Sequence, residues 1–150
     1  MIDSRTAPYA ALVLRVALGA LFLAHASLKL FVFTPVGTAK FFGSLGFPPE
    51  VAYLVISVEV LVGIALILGV WTRNAALAGI PVLLGAIFTV HGAAGFFFTN
   101  PKGGWEFPAF WAIALAAQAL LGDGAFALRP WRNVGEASRQ LSVARSRTAY

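Results

Sequence analysis

Apolar residues run almost unbroken through four stretches, Tyr9–Phe33, Val51–Trp71, Ala75–Phe98 and Phe107–Leu121, and polar residues gather between them. At about 1.5 Å of helical rise per residue, the first three are long enough to cross the hydrocarbon core of a bilayer. The fourth is short for a span, and Phe126 and Leu128 would extend it past the Gly122-Asp123-Gly124 break. Pro48-Pro49 opens the second stretch, where a missing N–H costs little. Thr99-Asn100-Pro101 closes the third, and Pro81 is expected to kink it, as a membrane helix tolerates when neighbours satisfy the freed carbonyl. The pattern predicts an all-α integral membrane four-helix bundle: one domain over residues 1–128, then an Arg-rich tail over 129–150. The longest connection, Thr34–Glu50, is expected to carry a short interfacial turn capped by Thr38 and bearing Lys40, Phe41 and Phe42. Its simplest role is an ordered lid over the end of the bundle.

Polar side chains inside the apolar stretches change this picture most. Arg15, His25 and Lys29 fall within about 80° of one another on the first helix, so they share one side. Ionisable groups in lipid face a protein interior and find partners there. Counted from the outer helix ends, His25 and Glu59 lie about 12 Å deep and His91 about 10 Å deep. Lys29 sits one turn above His25, and Gln118 of the fourth helix lies somewhat deeper. Glu59 is the strongest candidate, with Lys29 and His25 as its natural partners. Two readings stand side by side: an ion pair and hydrogen-bond network that fixes helix facing, and a proton-handling or ligand-binding pocket built by Glu59, His25, His91, Lys29 and Gln118. His25, His91 and Glu59 also resemble in type a two-His-one-carboxylate metal set, and His25 with His91 a haem-ligating pair. Glu106 is expected either to sit at a helix N-terminus as a cap-like group or to form, with Lys40 and Lys102, a rim around the polar layer. Arg15 stands alone near the inner leaflet, where it would snorkel.

Composition narrows the class. Of the 150 residues, 59% are hydrophobic and 11% charged, against about a quarter charged in an average soluble domain; a water-soluble globule is excluded. There is no cysteine, which removes disulfides, thiol redox chemistry and Cys-ligated clusters. The net charge of +5 does not point to nucleic acid. Arg129, Arg132, Arg139, Arg145 and Arg147 crowd into the tail, as in a membrane-flanking segment. With Arg5 and Arg73 on the same side, and only Lys40 and Lys102 opposite, the bias predicts both termini in the cytoplasm. Tyr9, Trp71 and Trp131 would mark the inner interface, and Tyr53, Trp105 and Trp111 the outer one. Gly19, Gly63, Gly85, Gly92 and Gly95 read as close-packing positions. A cleaved signal peptide is the competing reading of the first helix, with Ala24-His25-Ala26 as its cut site. Arg15 interrupts that pattern and the apolar run continues to Phe33, which favours a retained span.

Taken in order, Arg15-Val-Ala-Leu-Gly19 with the Lys29 region, Gly46-Phe-Pro48, Glu59, Leu66-Ile-Leu-Gly69 with Thr72-Arg73, and Gly103-Gly104-Trp105-Glu106 resemble the DoxX family of small four-span bacterial membrane proteins. The resemblance covers residues 9–128 and implies a bacterial inner-membrane protein engaged in redox or quinone work, without a family set of catalytic residues. The chain is therefore expected to be the membrane component of a redox system, holding a quinone-like molecule near His25, Glu59 and His91 and needing an electron-donating protein partner. Two alternatives remain: an accessory subunit docking through Phe96-Phe97-Phe98 and the tail, and a proton-coupled transporter using Glu59.

Overall fold

The computed structural model describes residues 3–128. The Arg-rich tail and Trp131 lie outside these described residues. Pro8 sits in the first turn of α1 (Ala7–Ser27), where its missing N–H belongs to the unpaired set anyway. The helix does not stop at Ser27: it widens into a π-turn over Leu28–Val32. Thr34 then starts α2 (Pro35–Ser44), its hydroxyl accepting from the Gly37 N–H at 3.2 Å. Thr34 is therefore the cap, in place of Thr38. Thr38 is buried, and its one hydroxyl hydrogen is directed at Thr34 O, 2.9 Å away, with Lys29 O of the π-turn at 3.4 Å.

α3 (Glu50–Leu68) begins after Pro48-Pro49 and ends at Gly69 in the left-handed region. Val70 N–H reaches Ala65 O and Gly69 N–H reaches Leu66 O, the paired reverse bonds that close a helix with glycine past its end. α4 (Thr72–Ala86) contains Pro81, passes into a second π-turn over Ile87–His91, and finishes in a 3-10 turn over Gly92–Ala94. α5 (Glu106–Leu121) is the last helix. Among the described residues there is no strand. Three helical runs, Ala7–Val32, Glu50–Leu68 and Thr72–Ala94, are long and apolar enough to cross a membrane; α5 is apolar but shorter.

α1 packs on α3 and α5, and α4 packs on the same two helices, which closes a ring of four. Contacts such as Arg15 with Leu66 and Lys29 with Glu59 run in opposite chain directions, so neighbours are antiparallel. One end carries α2 and the 95–105 loop (the loop end); the other carries the first turn of α1 and residues 122–128 (the terminal end). Leu18, Phe22, Val62, Leu66, Leu83, Trp111 and Leu115 fill the interior. Val13, Phe31, Leu61, Phe88, Phe110 and Leu120 point outward. An apolar exterior of that extent suits lipid, which solvates it as well as a protein core would.

The α1–α3 crossing depends on two glycines. A Cβ on Gly19 would come within 2.8 Å of Gly63 O, and one on Gly63 within 3.0 Å of Gly19 O. Gly79, unremarked in the sequence, makes room for the Phe22 ring at the centre of the bundle. Gly85 is not a packing position, since nothing lies within 4 Å of where its Cβ would be; the apolar pattern alone cannot say which glycine faces a neighbour. Trp111 also departs from expectation: it is 3% exposed, inside the bundle rather than at an interface.

Candidate functional site

The polar side chains of the loop end divide into three groups. The first is the pair of Lys29 and Glu59. Lys29 Nζ lies 2.8 and 2.9 Å from the two carboxylate oxygens. Glu59 is buried on α3, while Lys29 keeps partial exposure. Lys29 lies in the π-turn over Leu28–Val32, a local widening of the helix of the kind often found at functional sites.

The second group centres on His25. Its Nδ1 is 3.0 Å from Leu21 O. A carbonyl only accepts, so in the neutral ring Nδ1 holds the proton and Nε2 keeps its lone pair. The ring faces α5: it stacks on Phe107 at 6.4 Å and tilts against Trp111 at 5.0 Å. Trp111 in turn contacts Phe22 at 4.7 Å and Phe107 at 5.8 Å. The result is an aromatic cluster between α1 and α5. Trp111 Nε1 is buried and has no hydrogen-bond partner among the described residues, although indoles in protein interiors ordinarily find one. The sequence reading missed Phe22, Phe107 and Trp111. The available signal was spacing: Phe22 and His25 are three apart, Phe107 and Trp111 four apart, so each pair shares a helix face.

The third group braces the 95–105 loop. His91 Nδ1 lies 3.0 Å from Gly103 O, and Asn100 Nδ2 donates to Ala94 O. Glu106 accepts from the Phe98 N–H at 2.7 Å. Glu106 thus anchors the loop while standing at the start of α5. Lys40 and Lys102 are exposed on α2 and on the loop.

The structure therefore joins Glu59 to Lys29, sets His25 against α5, and ties His91 to a loop carbonyl; among the described residues no hydrogen bond links the three groups. Among the described residues no three His, Asp or Glu side chains gather as a metal site would require.

Arg15 and Gln118 belong to the terminal end. Arg15 is 1% exposed and does not snorkel. Nη1 donates to Leu66 O at 2.9 Å and Ile67 O at 2.6 Å, and Nη2 donates to Ala125 O at 2.9 Å. The last carbonyls of α3 carry its negative dipole end, so a guanidinium fork fits them in both geometry and sign. Gln118 is fully buried, and its Nε2 donates to Gly122 O at 2.8 Å.

Comparison with known proteins adds to this geometry. A family model described as DoxX matches residues 10–92. A protein of Bacillus subtilis (strain 168) named "Putative oxidoreductase CatD" is 32% identical over 132 residues, covering 88% of this chain and 93% of the relative. No solved structure matches significantly.

Proposed function

This chain belongs to the DoxX family, and from that premise we propose that it is the membrane component of a redox system, binding a quinone or hydroquinone ring between α1 and α5. The relative named as an oxidoreductase supports the redox part of this reading. The ring site rests on one observation: the Trp111 ring lies 5.0 Å from the His25 ring, and its Nε1–H is buried with no hydrogen-bond partner among the described residues. A hydroquinone offers what the two side chains lack. One hydroxyl donates to His25 Nε2, a ring oxygen accepts from Trp111 Nε1–H, and Phe107 and Phe22 supply apolar walls. Oxidation of a hydroquinone releases two protons and two electrons. His25 Nε2 takes one proton, and the other leaves at the loop end, where Lys29 is partly exposed. The electrons pass to a protein partner carrying a flavin, haem or metal centre, since a chain without cysteine brings no thiol redox chemistry. Phe96, Phe97 and Phe98, exposed on the braced loop, offer that partner a firm apolar contact. The arginine bias supports an orientation with both termini cytoplasmic, and kinship with DoxX proteins supports residence in a bacterial inner membrane.

Titration of a soluble hydroquinone analogue into the protein in lipid discs tests the site. His25→Ala and Trp111→Phe are each expected to weaken binding roughly three- to tenfold, the size of one hydrogen bond. Unchanged affinity in both variants rejects the proposal.

A further inference from the structure

The terminal end of the bundle contains a polar layer that the ring site does not use. Arg15, Thr72 and Gln118 come from α1, α4 and α5, and all are at least nine-tenths buried. Among the described residues, three of their atoms find no hydrogen-bond partner: Arg15 Nε, Thr72 Oγ1 and Gln118 Oε1. Contacts around them place all three at the terminal end of the bundle. The Arg15 guanidinium reaches Leu66 O and Ile67 O, and a Cβ on Gly69 would come within 2.9 Å of its carbon; Thr72 follows three residues later. The Gln118 amide reaches Gly122 O, and a Cβ on Gly122 would lie 3.3 Å from Arg73 Nε. Arg15 also bonds Ala125 O, just beyond that turn.

The chemistry of the three atoms limits what joins them. Arg15 Nε–H only donates. Gln118 Oε1 only accepts, and its amide cannot flip, because Oε1 would then face Gly122 O. Thr72 Oγ1 does both. An anion would satisfy Arg15 and Thr72 but repel Gln118 Oε1, and Asp123 acts on Arg15 with a negative charge of its own. A cation would repel Arg15. What fits is a small neutral molecule that accepts and donates at once. We propose that an ordered water molecule is bound in this layer, accepting from Arg15 Nε–H and Thr72 Oγ1–H and donating to Gln118 Oε1. Its three bonds match those of a typical buried water, and it links α1, α4 and α5 where Arg15 already clasps α3 and the 122–128 segment.

The sign of a stability change tests this. Thr72→Val keeps the side chain's shape and removes its hydroxyl. An unpaired buried hydroxyl costs free energy, so a dry layer makes Thr72→Val neutral or stabilising; a hydrated layer loses a bond and the variant melts lower. The midpoint is expected to fall by roughly 2–4 °C for the full chain in lipid discs. An experimental density map fine enough to resolve solvent gives an independent reading, which also serves if the variant does not fold. A peak bonded to Arg15 Nε, Thr72 Oγ1 and Gln118 Oε1 supports the proposal. A layer without density, an unchanged or raised melting point for Thr72→Val, or an anomalous peak there after bromide soaking would overturn it.

Discussion

Lys29 and Glu59 bring opposite charges from two helices into an apolar bundle, and neither is cheap to keep there without the other. Lys29→Met leaves a carboxylate stranded and should cost about 2 kcal/mol, below the roughly 3–5 kcal/mol of a fully buried pair, because the lysine side chain keeps 20% exposure. Lys29→Met with Glu59→Leu should recover most of that loss. Chemical unfolding in mild detergent checks both; a double variant no more stable than the single one would deny that the pair accounts for the cost. This pairing was legible in the sequence, because a charge in a span demands a partner at its own depth. The partner of Arg15 was not, since it proved to be backbone carbonyls, which every residue carries. Trp111 was misplaced for a related reason: a tryptophan near a span end is ordinarily an interface anchor, and only its neighbours reveal that it is buried.

Among elements, α1 and α3 show why small residues matter more in lipid than in water. Without a hydrophobic force between helices, contact depends on close fit. The mutual approach of Gly19 and Gly63 is such a fit. Gly19→Val should force the helices apart and lower the melting point sharply, whereas Gly85→Val, in open space, should leave it near that of the parent. Thermal melts of the two variants decide this, and equal losses would show that the crossing does not depend on the glycines. The existence of the helices could be read from the apolar stretches. Their ends could not: two of them widen into π-turns at Leu28–Val32 and Ile87–His91. A π-turn leaves no mark in hydrophobic periodicity, yet here one carries Lys29 and the other ends at His91.

For the whole molecule, the ring of α1, α3, α4 and α5 sorts its polar chemistry by end. The ion pair, the His25–Trp111 cluster and the braced loop occupy one end, and the Arg15 clasp occupies the other. The all-helical membrane architecture was evident from sequence. The separation of the candidate site into three groups was not, because depth along a helix says nothing of which neighbour a side chain faces. Orientation is testable at this scale with a chain that has no cysteine of its own. A cysteine at Lys102 should react with an impermeant maleimide applied to intact cells, and one at Ser4 only after permeabilisation; the reverse would invert the bundle. The ring-binding account faces its most direct test in photo-crosslinking of an azido-quinone to the protein in native membranes, with the labelled peptides mapped by mass spectrometry. The account predicts label on the α1 segment around Phe22 and His25 and on the α5 segment around Phe107 and Trp111, competed away by unlabelled quinone. Competed labelling confined to other helices, or no competed labelling at all, would contradict it.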